Sequence, residues 1–121
     1  MRPSWDDYFR VIAIDVASRA TCLRAHVGAV IVSDDNRILA TGYNGSPPGE
    51  PHCIDDGCVM EDGHCQRALH AEVNAIAHAA KAGIPVGGSR LYLYGSNKYR
   101  EPCRECFKVL KAAAVRFVLS E

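Results

Sequence analysis

Residues 27–32 read Val-Gly-Ala-Val-Ile-Val, a continuous apolar run with the length of one β-strand. A strand that is apolar at every position is typical of a sheet covered on both faces, because a half-exposed strand alternates apolar and polar residues. Asp34-Asp35-Asn36 predicts a turn, and residues 37–44 predict a second strand that pairs with the first as an antiparallel hairpin. The run therefore predicts a buried strand inside a covered sheet.

The rest of the chain alternates between helical and strand patterns. The predicted elements are helices at about residues 4–20, 68–82 and 103–114 and strands at residues 90–94 and 115–119. The second helix is rich in alanine, and Gly83 ends it. This order of elements predicts an α/β sheet in a single domain that spans residues 1–121.

Each predicted helix carries apolar residues at helical spacing, which we expect to face the sheet. In the first helix these residues are Tyr8, Val11, Ile12, Ile14 and Ala17. In the second they are Leu69, Val73, Ile76 and Ala80, and in the third they are Phe107, Leu110 and Ala114. We also expect Trp5 and Tyr8 to pack in the core.

The composition is that of an ordinary globular protein. The 121 residues are 48% hydrophobic and 23% charged, and 14 basic residues balance 14 acidic ones. Zero net charge argues against broad binding to nucleic acid, which needs a basic surface, but it leaves room for a small anionic substrate. The N-terminus has no apolar signal core and no apolar run has membrane-spanning length, so we expect a cytoplasmic protein. In that reducing compartment the six cysteines are better understood as ligands than as disulfides.

Two short stretches carry the chemistry, His70-Ala71-Glu72 and Pro102-Cys103-Arg104-Glu105-Cys106. His70, Cys103 and Cys106 are ligands of the types that zinc prefers. Three protein ligands leave a fourth position open for water, which is typical of a catalytic rather than a structural zinc site. We expect Glu72 to move a proton of that water, whose pKa zinc lowers to about 7.

The spacing of these residues supports a shared site. Pro102 is suited to open a helix, where its missing N–H is no loss, and Cys103 and Cys106 then lie three residues apart on the first turn. The positive end of the helix dipole favours thiolates there. His70 begins the second predicted helix. Glu72 can reach the same centre only near the helix start, because residues two apart in a regular helix point about 200° apart.

Neither stretch alone is specific to this kind of site. A Cys-x-x-Cys pair also occurs in redox proteins and as half of a structural zinc site, and His-x-Glu alone carries little information. The two together, with Pro102 before the first cysteine, match the pattern of zinc-dependent nucleobase deaminases. A catalytically silent zinc-binding interaction module is the alternative from another class of protein.

Residues 50–67 are rich in cysteine and histidine and poor in apolar residues. A stretch of this length without its own core needs a clamp. One hypothesis is a second, structural zinc bound by Cys22, Cys53, Cys58 and Cys65, with His52 or His64 as replacements for one thiol. The other interpretation is that these cysteines are buried as small apolar residues.

Asn44 follows the second predicted strand and begins the loop Asn44-Gly45-Ser46-Pro47-Pro48-Gly49. Asn-Gly and Pro-Pro-Gly are typical of loops, and turn formation is the ordinary role of such an asparagine. At the end of a strand that faces a pocket, Asn44 is instead placed to bond the sugar or base of a substrate. The residues alone leave both roles open.

The chain resembles the cytidine deaminase superfamily, and within it the deoxycytidylate (dCMP) deaminases most closely. The resemblance runs from the first predicted helix to the last strand, and it is far more specific than the zinc motif alone. The stretches that carry it are Cys22 with Val27-Gly28-Ala29-Val30, Thr41-Gly42-Tyr43-Asn44-Gly45, His70-Ala71-Glu72-Val73-Asn74-Ala75-Ile76, and Pro102-Cys103 with Cys106.

The resemblance implies a three-layer α/β/α sandwich around a mixed central sheet. It implies zinc-dependent hydrolysis of dCMP to dUMP and ammonia, which supplies dUMP for thymidylate synthesis. It also implies that Asn44 contacts the nucleotide, that the Ala71 N–H steadies the pyrimidine oxygen, and that Cys22 and Cys53 contribute to a second zinc, as in some members. Members are often hexameric and regulated by dCTP and dTTP, so we expect a homo-oligomer (dimer or hexamer) with these effectors.

Two features depart from that family's pattern. The stretch between Tyr92 and Pro102 is about five residues longer than usual, and relatives continue beyond the position of Glu121 with another helix and strand. Because the longer loop lies beside the substrate, cytidine, guanine and tRNA adenosine stay open as alternative substrates. The candidates for phosphate binding are Lys81, Lys98 and Arg100, each of which is equally an ordinary surface charge.

Overall fold

The structure, a computed structural model, describes residues 1–23, 25–61, 64–65, 68–96 and 101–119, with only the backbone at positions 61, 64 and 65. Ten elements follow one another in these ranges. They are α1 (Trp5–Ala17), β1 (Val27–Val32), β2 (Ile38–Tyr43), α2 (Cys53–Asp56), β3 (Met60–Glu61), β4 (His64–Cys65), α3 (Ala71–Ala82), β5 (Arg90–Gly95), α4 (Arg104–Ala112) and β6 (Arg116–Phe117).

A four-stranded mixed sheet in the order β2-β1-β5-β6 forms the centre. β1 pairs antiparallel with both β2 and β5, whereas β5 and β6 are parallel and are joined through α4. All six residues of β1 are buried, which confirms the interpretation of the run at 27–32. The predicted hairpin of β1 and β2 is also confirmed, and Asn36 turns the chain with φ +65°.

Helices cover both faces of the sheet, which makes the fold a three-layer α/β/α sandwich. On one face, Phe9 and Ala13 of α1 pack against Val30, Val32 and Tyr92. On the other face, α3 and α4 pack against the remaining strand side chains. That core consists of Val27, Ala29, Ile31, Ala71, Ala75, Leu91, Leu93, Leu110 and Val115.

Two glycines in the hairpin let the helices approach the sheet closely. A Cβ at Gly28 would lie 2.2 Å from the carbonyl oxygen of Ala13 in α1. A Cβ at Gly42 would lie 2.3 Å from the backbone nitrogen of Ala75 in α3. Because real Cβ atoms do not come this close to backbone, only glycine permits these contacts. The contact at Gly42 fixes the height of α3 above the sheet.

The prediction for the buried face of α1 was right for Ala17, which is buried, and for Ile12, which packs partly buried against the core, but wrong for the larger residues. Trp5 and Tyr8 do not pack in the core but are 56% and 44% exposed, and Val11 and Ile14 are also exposed. The buried residues are Phe9, Ala13 and Ala17. The reason is the close backbone contact at Gly28, which selects the helix face with small residues rather than the face with the largest apolar ones.

The buried face of α3 was also predicted wrongly. Val73 and Ile76 are half-buried and Ala80 is exposed. The buried residues are Ala71, Glu72, Asn74, Ala75 and Ala79. Alanine residues of α3 contact the sheet backbone at Gly42, and the polar residues Glu72 and Asn74 lie on the same buried face of the helix. Apolar periodicity therefore predicts the neighbouring face as the buried one.

Smaller differences concern α4 and the cysteine-rich stretch. Leu110 is buried as expected, but Phe107 is 39% exposed, and the helix ends before Ala114, which has φ +57°. Residues 50–67 contain a one-turn helix, α2, and two antiparallel strands, β3 and β4, of two residues each. Within the described ranges, no helix combines the length and the apolar content that crossing a bilayer requires.

Candidate active site

The first half of the site lies at the N-terminus of α3. His70 is the N-cap residue, with extended backbone angles (φ −68°, ψ 152°), so the helix begins at Ala71. The preceding residue, Leu69, forms a backbone bridge with Gly45, donating to its carbonyl at 2.8 Å and accepting from its N–H at 3.1 Å. This bridge ties the approach to His70 to the loop after β2.

The second half lies at the N-terminus of α4. Cys103 is the N-cap residue, and the helix begins at Arg104, one residue later than predicted. Buried Pro102 therefore precedes the cap instead of opening the helix. Cys106 occupies the third helical position and is 1% exposed. As predicted, the two cysteines lie three residues apart around the first turn.

The two helix starts bring His70, Cys103 and Cys106 together. His70 Nδ1 lies 3.2 Å from Cys106 Sγ and 3.5 Å from Cys103 Sγ. All three ligand atoms lie within 4.8 Å of one another, and no other group of three or more metal-ligating side chains is this close in the part of the chain that the structure describes. Tetrahedral zinc bonds to sulfur and nitrogen imply N···S separations of about 3.6 Å, so the donor set and its spacing fit zinc.

The charge environment of Cys106 requires a cation before the thiol can ionise. Burial raises the pKa of the Cys106 thiol above its ordinary value, and the neighbouring charges of Glu72 and Cys103 raise this pKa further. A bound divalent cation reverses that balance, because a coordinating thiol loses its proton. A bound metal would therefore favour the thiolate form of Cys106.

Glu72 lies within this site. It is fully buried in the first turn of α3, and its carboxyl group lies near enough to the Cys106 thiol to raise the pKa of that thiol. Glu72 and His70 can contribute to the same site because both lie at the start of the helix. Within a regular helix, side chains two residues apart would point in nearly opposite directions. A buried carboxyl beside a three-ligand metal group is positioned for proton transfer within the site.

Ala71 is the first residue of α3, and its backbone N–H belongs to the first helical turn, whose N–H groups have no partner inside the helix. Asn44 is 8% exposed and bonds to the start of β1. Its Oδ1 accepts from the Val27 N–H at 2.8 Å, and its Nδ2 donates to the Ala25 carbonyl at 2.7 Å. The Asn44 amide thus has a structural role at the strand ends, and it keeps one N–H and one lone pair for other partners.

Sequence reasoning missed Asn74. This residue is 6% exposed on the buried face of α3, and its Nδ2 donates to the Tyr43 carbonyl at 2.7 Å. The only signal in the sequence was a polar residue two positions after Glu72 in an alanine-rich helix. Apolar periodicity does not identify a buried polar residue. A buried side-chain amide nevertheless normally forms hydrogen bonds.

The segments of the four cysteines of the second predicted zinc site are joined in two pairs, and the described side chains of Cys22, Cys53 and Cys58 do not form a metal-ligand group. Ile54 donates to the Thr21 carbonyl at 3.1 Å, which brings the segments of Cys22 and Cys53 together, and both thiols are buried. Cys65 in β4 is the strand partner of Met60 in β3, and Met60 lies two residues after Cys58 in the chain. The described part does not include the Cys65 side chain, and none of the other five cysteines forms a disulfide.

Of the three candidates for phosphate binding, Lys81 alone lies among the residues that the structure describes. Lys81 lies in the last turn of α3, eleven residues after His70 and thus about 16 Å from it along the helix. That distance does not favour a role for Lys81 beside a small substrate. Lys98 and Arg100 lie outside the described residues, as does most of the longer loop before Pro102.

Known proteins resemble this chain over nearly all its length. The family model for the cytidine and deoxycytidylate deaminase zinc-binding region matches residues 3–120. ComE operon protein 2 of Bacillus subtilis is 44% identical over 117 residues, which cover 97% of this chain and 59% of that protein. The deoxycytidylate deaminase of a Mycobacterium phage is 36% identical over 129 residues, which cover 98% of this chain and 94% of the phage protein.

Other similar proteins are longer. The match to the deoxycytidylate deaminase of Saccharomyces cerevisiae is 38% identical and spans 39% of the yeast protein. Among solved structures, dCMP deaminase from the cyanophage S-TIM5, crystallised with dCMP and dUMP, superimposes with a TM-score of 0.76 and 32% identity over 97% of this chain and 82% of that one. The fold, the grouped His70, Cys103 and Cys106, and these similarities lead to one conclusion: the chain belongs to the cytidine and deoxycytidylate deaminase family.

Proposed function

We propose that this protein converts dCMP and water to dUMP and ammonia. The observation that carries the proposal is the group of His70, Cys103 and Cys106 beside the buried carboxyl of Glu72. Relatives named deoxycytidylate deaminase, at 31–38% identity, support dCMP as the substrate, as does the similarity to a structure that holds dCMP and dUMP.

We assign one zinc ion to this group. His70 would hold it through Nδ1, the ring nitrogen that lies nearest to both cysteine sulfurs, and Cys103 and Cys106 would hold it as thiolates. When bound, zinc acts as a Lewis acid and lowers the pKa of a water molecule to about 7. One divalent cation, two thiolates and a neutral imidazole sum to zero charge, so the site does not repel a nucleophilic hydroxide.

Glu72 carries the protons of the reaction. Its carboxylate takes a proton from the attacking water, whose oxygen forms a bond to C4 of the cytosine. Glu72 passes this proton to N3, then takes the remaining proton from the new hydroxyl on C4 and delivers it to the 4-amino nitrogen. The C4–N bond breaks to release ammonia, and C4 keeps the oxygen as a carbonyl. Because Glu72 is fully buried at the helix start, these transfers take place away from bulk solvent.

Asn44 and Ala71 are assigned to the substrate. The N–H of Ala71 points out of the first turn of α3, where it can bond the pyrimidine oxygen. The Asn44 amide, already bonded to Ala25 and Val27, offers its remaining N–H or lone pair to the sugar or base. These two assignments rest on the family resemblance together with the placement of both residues next to His70 and the loop after β2.

Release of ammonia from a substrate panel tests this function. The panel consists of dCMP, CMP, cytidine, guanine and an RNA stem-loop that carries adenosine. We expect dCMP to be the preferred substrate. Activity on RNA alone would contradict the proposal, and release of ammonia from none of the five would favour a zinc-binding interaction module.

A second, structural zinc is proposed for Cys22, Cys53, Cys58 and Cys65. The support is the pairing of the Cys22 segment with the Cys53 segment and of the Cys58 segment with the Cys65 segment, together with the poor core of residues 50–67, which a metal would clamp. Metal analysis of active protein is expected to give two zinc ions per chain. One zinc ion per chain in fully active protein would remove this site.

The remaining proposals rest on the resemblance alone. They are a supply of dUMP for thymidylate synthesis, regulation by dCTP and dTTP, assembly as a homo-oligomer (dimer or hexamer), and a cytoplasmic location. Sedimentation with and without dCTP tests the assembly and the effector together.

A further inference from the structure

Asn74 connects the helix that carries Glu72 to the loop that carries Asn44. Its Nδ2 donates to the Tyr43 carbonyl at 2.7 Å and lies 3.3 Å from the Gly45 carbonyl. Tyr43 and Gly45 are the two neighbours of Asn44 in the chain. A single side-chain amide therefore holds the backbone on both sides of Asn44.

Each of the four polar groups of Asn44, two in the backbone and two in the side chain, forms one hydrogen bond. Its N–H donates to the Val27 carbonyl at 3.2 Å, and its carbonyl accepts from the Thr21 N–H at 3.1 Å. Its side chain bonds Val27 and Ala25 at 2.8 and 2.7 Å. These contacts fix Asn44 relative to the sheet, whereas the contact from Asn74 fixes it relative to α3.

A second connection completes a closed arrangement. Gly45 forms two backbone hydrogen bonds with Leu69, the residue before His70. Asn74 lies four residues after His70, and its own N–H donates to the His70 carbonyl at 3.0 Å. Leu69 and Asn74 thus hold the same loop from both ends of the turn that contains His70, Ala71 and Glu72.

We propose that Asn74 is a positioning residue that sets the distance between the loop at residues 43–46 and the turn at residues 70–72. A nucleotide that bonds Asn44 and reacts at Glu72 must span that distance, so the amide of Asn74 determines how well the nucleotide is aligned. This proposal rests on the proposed deamination of dCMP. It adds a residue whose side chain acts on the backbone of Tyr43 and Gly45 rather than on the proposed metal ligands or the substrate.

His78 provides a matched control. It lies one turn further along α3, and its Nδ1 is 2.8 Å from the Thr41 carbonyl, so it also connects α3 to β2. His78 is exposed and lies further from the site. Substitution of His78 therefore tests the docking of α3 on the sheet without moving the loop that carries Asn44.

The experiment compares Asn74→Ala with His78→Ala in the zinc-loaded protein. For Asn74→Ala we expect KM for dCMP and Kd for dUMP to rise about tenfold, with kcat changed less and zinc content unchanged, because the helix hydrogen bonds still hold His70 and Glu72. His78→Ala should leave KM and Kd unchanged. Equal KM and Kd shifts in both variants, or none in either, would overturn the proposal.

Hydrogen exchange gives a readout that does not depend on turnover. The amides of Gly45 and Leu69 should exchange at least about tenfold faster in Asn74→Ala than in His78→Ala. Unchanged exchange at both amides would overturn the proposal even if activity falls. If the wild-type protein does not deaminate dCMP, both the proposed function and the alignment role of Asn74 are wrong. If the wild type is active and Asn74→Ala has an unchanged KM, only the alignment role is wrong.

Discussion

His70 Nδ1 and Cys106 Sγ lie 3.2 Å apart, although 36 residues separate them in the chain. The contact exists because two helices on one face of the sheet begin at the same place, one capped by His70 and the other by Cys103. A helix start offers unpartnered N–H groups and the positive end of the dipole, both of which favour thiolates and a developing anion. The juxtaposition of these helix starts produces the candidate site.

Glu72 is expected to be essential for turnover but not for metal binding. Glu72→Gln keeps the size of the side chain and removes its ability to accept a proton, so kcat for dCMP should fall at least about 10²–10⁴-fold. Metal analysis should show the same zinc content as in the wild type, since the three assigned ligands are intact. Retention of more than a tenth of wild-type turnover would show that another group moves the protons.

The close contact between α3 and the sheet at Gly42 should be intolerant of a methyl group. In Gly42→Ala the new Cβ would lie 2.3 Å from Ala75 N and 2.5 Å from the Ala71 carbonyl oxygen. We expect α3 to shift, with a loss of about 1–3 kcal/mol in the free energy of unfolding and weaker zinc binding, because His70 caps the same helix.

The control for this variant is Gly87→Ala, where the added Cβ meets no atom within 4 Å. Denaturant unfolding and zinc titration of both variants make the measurement. If Gly42→Ala were as stable as Gly87→Ala and bound zinc equally well, the helix position would not depend on this contact.

The metal-free protein should lose stability as the pH rises above about 9. Burial raises the pKa of the Cys106 thiol above the ordinary value of 9.0, so the folded protein keeps a proton that the unfolded chain releases. Stability falls with pH wherever the unfolded state binds fewer protons, and at pH 10 the loss from this thiol should be about 1 kcal/mol. Thermal melts of zinc-free protein between pH 7 and pH 10 measure it.

Cys106→Ser is the reference for these melts, because it removes the titrating thiol and leaves the other groups that titrate in the same range. The fall in Tm between pH 8 and pH 10 should be smaller in Cys106→Ser than in the wild type. In the wild type, zinc should remove the contribution of Cys106 to the pH dependence, since the coordinated thiolate has no proton to lose. Identical pH dependence in the two zinc-free proteins would contradict the prediction.

The sequence was most informative where one residue type has one physical role. The apolar run at 27–32 predicted the buried central strand, and Gly83 predicted the end of α3, which it terminates with φ +71°. The proximity of His70 to Cys103 and Cys106 was also predicted, because few other arrangements use these ligand types at these spacings.

The sequence was least informative where packing depends on shape rather than hydrophobicity. The buried face of α1 is selected by Gly28, which lies in another element, so Trp5 and Tyr8 were misplaced. Asn74 was missed because a buried amide is recognisable only when the carbonyls that it bonds are known. Contacts of this kind join distant parts of the chain, and local periodicity carries no information about them.

The most direct test is a crystal structure of the zinc-loaded protein with anomalous diffraction at the zinc edge. We predict one zinc ion held by His70 Nδ1, Cys103 Sγ and Cys106 Sγ, with a fourth position left to solvent and the Glu72 carboxyl facing it. If the zinc ion at this site were enclosed by a fourth protein ligand, or if any of these three side chains did not bind it, the assignment of the site as catalytic would be contradicted.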